Sequence, residues 1–407
     1  MSLLSPENVP DPVRTVVRRL KGAGYQAFLV GGCVRDLKRA RRPKDFDVAT
    51  SARPEQVKQA VHPAKMIPTG IEHGTVTVVL GGFHVEVTTF RAESDYVDGR
   101  RPSKVEFHEE IEADLSRRDF TINAMAWDPD DGRFVDPFGG EADLRAGMVR
   151  CVRSALERFS EDGLRALRAV RFATVLDFAL DPDTQAAIRP TLHVFRKVAG
   201  ERIQQEFVKL LLVEGRAPRG LALLRDTGLL AEFFPEAVGA DFEAVGRAPL
   251  DVTVRLALLC LDAPAPRDVV LRLKFPGKVA EEAAALVALQ ALPAASAGDA
   301  ELRRWAARVT PERVPALFAL AAAREPSPVT ERAALQTRVE ALLAANPPLT
   351  ARQLALDGKA IMALLGVGPS PAIGHATRHL LELVLEDPRR NSRESLTAAL
   401  KAWTLPQ

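Results

Sequence analysis

Apolar positions along the first 150 residues change period repeatedly, whereas beyond about residue 153 they keep helical spacing. Val13, Val16, Val17 and Leu20 share one face of a helix, so the pattern predicts an amphipathic helix over residues 12–23. Residues 26–30 (QAFLV) form an unbroken apolar run, the mark of a buried strand, ended by Gly31-Gly32 and followed by a helical turn from Val34. Phe46-Asp47-Val48 reads as a short strand. Residues 75–80 (TVTVVL) and 83–89 (FHVEVTT) flank Gly81-Gly82, a strong hairpin signal. Residues 116–127 are expected to be helical, and Asp136 to Gly140 (DPFGG) to turn.

Past residue 153 Ala, Leu, Arg and Glu dominate. Pro, Ala and Gly punctuate this half at residues 292–299, 326–328 and 346–348, where helices are expected to connect. No fixed-period repeat is evident. The pattern predicts an α+β head, a mixed sheet with helices, followed by an all-α neck, body and tail. At 407 residues the chain suits several domains, drawn at 1–150, 151–215 and 216–407.

Composition adds exclusions. Hydrophobic residues make up 47% and charged residues 27%, as in ordinary globular proteins. No run of about eighteen apolar residues predicts a membrane span, and the opening MSLLSPENVPDPVRTVV lacks a signal-peptide layout. A cytoplasmic location is expected. Cys33, Cys151 and Cys260 are too few and too scattered for a disulfide framework or a zinc site. His375 and His379 could share a helix face, but without carboxylate or Cys neighbours they read as a solvated pair. Net charge is only +2, yet basic residues cluster at 38–44 (KRARRPK), at Arg100-Arg101, at Arg117-Arg118 and along 150–171. Each cluster alone fits a solvated face; together they point to a polyanionic partner. The oligomeric state is not legible.

Asp45 and Asp47 are two apart, and on a strand alternate residues share a face. Both carboxylates then point one way, while Phe46 and Val48 enter the core. Two adjacent carboxylates repel unless a cation lies between them, and Mg²⁺ takes one or two carboxylates plus phosphate oxygens. Upstream, Gly31-Gly32 lets backbone N–H groups approach a phosphate, and Arg35 adds a charge-assisted fork.

The segment LVGGCVRDLKRARRPKDFDVAT resembles the signature of the nucleotidyltransferase branch that contains bacterial CCA-adding enzymes and poly(A) polymerases (class II). The resemblance implies that Asp45 and Asp47 hold catalytic Mg²⁺ for two-metal nucleotidyl transfer. Lys38, Arg39 and Ala40 depart from the family, which has apolar residues and a Gly there; this loop is expected to face RNA or solvent. Glu86, mid-strand in VEVTTFR, is either a third carboxylate near the metals or an exposed hairpin residue. RRDFTINAMA (residues 117–126) matches a second family motif, whose second Arg, here Arg118, contacts the nucleotide. Read as a helix start, its arginines oppose the helix dipole, which a bound phosphate would rationalise.

Asp162, Arg165, Arg168 and Arg171 recur every three residues in EDGLRALRAVRF, beside an apolar ridge of Leu164, Leu167 and Val170. The family resemblance makes this EDxxR motif the protein's own template. Cytosine and adenine each show an amino donor beside a ring-nitrogen acceptor. A carboxylate suits the first and a guanidinium the second. Asp162 with Arg165 would therefore accept CTP and ATP and refuse GTP and UTP, while Arg168 and Arg171 support the pair or reach the triphosphate. Residues 90–102 are polar and turn-rich, and resemble the family's flexible loop that couples the switch from C to A addition. Glu201-Arg202-Ile203 to Glu206, with Lys209-Leu210-Leu211, resembles a further motif, read as structural and closing the neck helices.

The C-terminal half carries no catalytic grouping; by resemblance it grips the acceptor and T-stem of tRNA. No His-Asp dipeptide occurs, so the phosphohydrolase domain of some relatives is not expected. The resemblance implies addition or repair of the 3′-terminal CCA of tRNA from CTP and ATP. Residues 68–79 (PTGIEHGTVTVV) look more like CCA-type sequences. A poly(A) polymerase, an A-only or CC-only enzyme, and an inactive tRNA-binding homologue remain alternatives.

Overall fold

The computed structural model describes residues 3–71, 74–96, 102–325 and 329–403, with backbone alone over 92–96 and 102–107. Two compact units result. One comprises Met1–Val238 with Arg272–Lys274, the other Gly239–Leu271 with Phe275–Gln407.

The first unit begins with α1 (Asp11–Gly22), whose Val13, Val16, Val17 and Leu20 are fully buried, as the periodicity predicts. Then come β1 (Ala27–Val30), α2 (Gly32–Lys38), β2 (Asp47–Thr50), α3 (Pro54–Val61), β3 (Lys65–Gly70), β4 (Thr75–Leu80) and β5 (Phe83–Thr89). Gly81 and Gly82 both have positive φ, 56° and 80°, the conformation that a tight two-residue hairpin needs. Next follow β6 (Arg91–Tyr96), β7 (Pro102–Phe107), α4 (Ile111–Ser116), β8 (Ala126–Trp127), β9 (Phe134–Val135), α5 (Gly140–Ala146) and β10 (Met148–Val149). The main sheet runs β3-β4-β5-β2-β1-β8-β9, with β2 and β5 parallel and β1 antiparallel to β2.

Alternation along β1 and β2 sorts side chains onto two faces. Ala27, Leu29 and Val48 join Val85 and Val87 in a core with α1, α2 and α3. Phe28, Val30 and Ala49 join Phe90, Ile111 and Leu115 on the opposite face. Strand register thus directs Asp47 to the second face, at the strand's start.

Three expectations change here. Residues 116–127 are not one helix: α4 ends at Ser116, and a 3₁₀ turn (Thr121–Asn123) and β8 follow. Arg117 and Arg118 therefore sit at a helix C-terminus, where the dipole favours cations, so the dipole gives no reason to invoke a phosphate. The polar stretch read as turn-rich forms β6 and β7, paired antiparallel; Arg100-Arg101 and the rest of 97–101 lie outside the described residues. Lys38 and Arg39 face inward rather than toward RNA or solvent. Lys38 pairs with Glu141 at 3.0 Å and lies over the Phe134 ring, and Arg39 packs on Phe178, because their aliphatic stems cover apolar surface. Ala40 is exposed.

The rest of this unit is α6 (Ala155–Glu161), α7 (Leu164–Leu176), β11 (Ala179–Leu180), α8 (Pro182–Ala186), α9 (Leu192–Phe195), α10 (Gly200–Leu211), α11 (Ala217–Asp226) and α12 (Leu229–Phe233). Only the two-residue β11, parallel to β10, interrupts the helical run. Gly163 precedes α7; a Cβ there would lie 2.6 Å from the Phe195 backbone, so only Gly allows this approach.

The second unit is helical among its described residues. It contains α13 (Phe242–Arg247), α14 (Val252–Leu259), α15 (Pro266–Arg272), α16 (Gly277–Ala288), α17 (Asp299–Val309) and α18 (Val314–Arg324), then α19 (Val329–Ala344), α20 (Gly358–Leu365), α21 (Pro371–Glu386) and α22 (Arg393–Ala402). Ile361, Leu380, Val384 and Leu396 centre a core of the last three helices. His375 is exposed, but His379 stacks on Trp403 with ring centroids 5.9 Å apart, so the two do not form a solvated pair. No helix among the described residues is long and apolar enough to cross a membrane.

Candidate active site

The strand register fixes the acidic end of the site. Asp47 lies opposite Val30 of β1 and opposite Glu86 of β5, so Asp47 and Glu86 share a face. Asp45 is exposed in a bend just before β2, not within it, while Phe46 and Val48 are buried as expected. Burial pushes the Asp47 carboxyl up to about 6, Arg118 opposes this, and the nearby Glu86 and Asp45 carboxylates add to it.

A carboxylate held in that state by burial and like charges is what a divalent cation relieves. Among the described residues no three His, Cys, Asp or Glu side chains are grouped to hold a metal by themselves. Asp45 and Asp47 fit an ion that completes its shell with water and substrate phosphates, as Mg²⁺ does. Because the folded value of about 6 exceeds the ordinary 3.8, protonated Asp47 favours the fold, and that contribution fades as pH rises from about 4 through 6. In chelator at pH 7, Asp47→Asn is expected to melt above the wild type. Near pH 4 the two should converge; calorimetry at both pH values checks this.

Gly31 links β1 to α2 with φ 73° and ψ −131°, outside the range of L side chains. A Cβ there would lie 2.8 Å from Nη1 of Arg118. Gly31→Ala is expected to cost about 1–3 kcal/mol of stability through backbone strain and to displace Arg118, raising the KM for nucleotide. Denaturant titration and steady-state kinetics test the two effects separately. Arg118 and Arg117 both clamp Asp114, at 3.0 and 2.7 Å. Burial works to raise Asp114, yet the two guanidiniums hold it below the usual carboxylate range.

Arg35 of α2 donates from Nη1 to Oδ1 of Asn123 at 2.8 Å and from Nε to Asp36 at 2.9 Å. Its guanidinium, with those of Arg168 and Arg171, surrounds the Phe172 ring at 5.4, 5.4 and 3.6 Å. Along α7 the ridge is internally paired. Arg165 meets Glu161 at 2.5 Å and donates to the Arg117 carbonyl at 3.1 Å. Arg168 meets Asp119 at 2.6 Å and Arg171 meets Glu206 at 2.6 Å. Despite burial, Arg168 holds Asp119 down at about 2. Asp162 is gripped by Arg202, 2.7 and 3.2 Å, and accepts the Leu164 N–H at 3.0 Å.

One cleft of about 660 Å³ gathers these groups. Gly31, Gly32, Arg35, Asp45, Asp47, Arg118, Asp162, Arg165, Arg168 and Arg171 all line it. Glu86 does not line it, although it stands beside Asp47 in the sheet. The cleft also contains Arg117, Asp119, Asn123, Phe172, Arg202 and Lys209, which the sequence reading did not assign to the site. Asn123 sits within RRDFTIN, so its signal was present. Arg202 and Lys209 lie in the segment read as structural, and only the packing of α10 on α7 brings them in.

Residues 27–150 match the family model described as "Poly A polymerase head domain", and residues 177–239 match "Probable RNA and SrmB- binding site of polymerase A". The CCA-adding enzyme of Geobacillus stearothermophilus is 39% identical over 394 residues, 95% of each chain. This chain belongs to the CCA-adding enzyme family. That makes it a nucleotidyltransferase, and the family implies dependence on a divalent metal. The CCA-adding enzyme of Limosilactobacillus fermentum is 36% identical over 96% of each chain. With that of Ligilactobacillus salivarius identity rises to 48%, but the match spans 55% of each chain. The crystal structure of the Bacillus stearothermophilus CCA-adding enzyme in complex with CTP matches with TM-score 0.81 and 34% identity over 96% of each chain.

Proposed function

We propose that this chain completes or repairs the 3′-terminal CCA of tRNA in the cytoplasm, using CTP and ATP and releasing pyrophosphate. The observation that carries the reading is the presence of the Asp45–Asp47 pair and the Asp162–Arg165 ridge in one cleft. Residues 1–150 serve as the catalytic head, 151–215 as the neck that reads the base, and 216–407 as the body and tail that hold tRNA.

The 3′-hydroxyl oxygen of the primer loses its proton to solvent and bonds to the α-phosphorus of the incoming nucleotide, and the bond from that phosphorus to the bridging oxygen of pyrophosphate breaks. Mg²⁺ held by Asp45 and Asp47 would activate the hydroxyl and offset charge on the triphosphate. Arg35 and Arg118, with the backbone at Gly31-Gly32, would bind the phosphates. Arg168 and Arg171 hold α7 in place through Asp119 and Glu206.

Base choice rests on Asp162 and Arg165. A carboxylate has about four acceptor sites. Arg202 and the Leu164 N–H occupy three on Asp162, leaving one for an exocyclic amine. Arg165, fixed by Glu161 and the Arg117 carbonyl, would donate to the ring nitrogen.

The test supplies tRNA ending before CCA, after C or after CC, with labelled CTP, ATP or both. Addition of CC and then A supports the reading. A on CC-ended tRNA alone points to an A-adding enzyme, CC without A to a CC-adding one, and long A tracts on unrelated RNA to a poly(A) polymerase.

A further inference from the structure

The C-terminal end of α7 collects more positive charge than its surroundings balance. Arg39 donates from Nη2 to the Leu176 carbonyl at 3.4 Å, and Arg216 from Nη1 to the Val175 carbonyl at 3.2 Å. Arg219 bridges Asp177 and the Phe178 carbonyl, both at 2.7 Å. Arg41 joins them from the chain after α2, its side chain exposed and its backbone N–H on the Asp36 carbonyl. A helix C-terminus attracts cations, but it supplies only about half a negative charge. Asp36 is already bound by Arg35 at 2.9 Å, and Asp177 by Arg219 at 2.7 Å. Nη1 of Arg39 is covered and has no hydrogen-bond partner among the described residues. Burial, then Arg41, Arg35 and Arg216, hold the Arg39 guanidinium below its usual range. Four guanidiniums thus crowd one helix end, with an N–H left unsatisfied.

We propose that Arg41, Arg216 and Arg219, with the covered Arg39 adding charge behind them, form a phosphodiester-binding patch for the RNA strand leading to the primer terminus. This rests on the function proposed above, which makes RNA the substrate. Arg39 lies one helical turn beyond Arg35, which lines the cleft, so the patch continues the cleft's basic wall outward. Arg216 and Arg219 fall within the segment that matches the RNA-binding family model. A surface dominated by guanidinium donors, its one named carboxylate, Asp177, already held by Arg219 at 2.7 Å, suits a sugar-phosphate backbone in any sequence. The same chemistry would accept free pyrophosphate, which the test must separate.

The exposed Arg41 and Arg219 allow a variant that should fold, Arg41→Gln with Arg219→Gln, checked by its melting temperature. Near 0.15 M salt its KM for tRNA lacking CCA is expected to rise roughly tenfold, and the slope of log affinity against log salt to flatten by about 1.5, the share of two phosphates. The KM for CTP and kcat at saturating tRNA should stay within twofold. An unchanged tRNA KM and salt slope would overturn the patch. So would weaker inhibition by pyrophosphate with tRNA binding intact, since the patch would then hold product and not RNA. Should the wild type add no nucleotide to tRNA, the functional reading fails by itself, and direct binding titrations with the same tRNA still decide the patch.

Discussion

Asp47→Ala is expected to reduce nucleotide addition by about 10³-fold or more, with tRNA binding retained. Metal-assisted charge stabilisation contributes several kcal/mol in such reactions, and each 1.36 kcal/mol is tenfold in rate. Asp47 carries this load because it is the half-buried member of the pair, set opposite Glu86 in the sheet and pushed up to about 6 in the absence of a cation. Loss of this proposed metal ligand would remove one donor to the cation and leave Arg118 facing one carboxylate fewer. Asp45→Ala should behave alike if this exposed bend residue is the other donor, as proposed above. Single-turnover incorporation of labelled CMP measures the effect. Activity within tenfold of the wild type would place the metal elsewhere.

The second large effect concerns base choice. Asp162→Asn exchanges one carboxylate oxygen for an NH₂ donor while keeping the shape. Cytosine and adenine amines then meet a donor, whereas the carbonyls of uracil and guanine gain a partner. Sites built on hydrogen-bond complementarity discriminate by roughly 10⁴. The preference for CTP over UTP is therefore expected to fall by about 10²-fold or more, with part of the remainder held by Arg165. The ratio of kcat/KM for the four nucleotides on one tRNA decides it. An unaltered ratio would assign base reading to other residues. Asp162→Asn also weakens the grip on Arg202, so Arg202→Lys serves as the control for loss of positioning alone.

Much of the fold was readable where one face is buried and the period is clean. Val13, Val16, Val17 and Leu20 announced α1, and the apolar run of β1 announced a strand covered on both sides. The expected helix over 116–127 failed because its apolar positions are divided between a bridge at Phe120, a 3₁₀ turn holding Ile122 and a strand of the main sheet holding Ala126 and Trp127, a break that helical spacing cannot reveal. The inward turn of Lys38 and Arg39 escaped notice because their stems are apolar although their ends are charged. The order of the candidate motifs was legible in the chain. Their mutual ion pairs were not. Arg202 and Asp162 are 40 residues apart, and only the packing of two helices brings them together.

One consequence follows from the internal pairing of the cleft. Arg35, Arg117, Arg118, Arg165, Arg168, Arg171, Arg202 and Lys209 each already hold a carboxylate of the protein. A triphosphate bound there, as proposed above, would share these cations with resident counterions, which would limit how tightly any polyphosphate is kept. Such tempering matters for an enzyme that makes a polyphosphate in every cycle. A cleft of unshielded arginines would retain its own pyrophosphate, and turnover would wait on release.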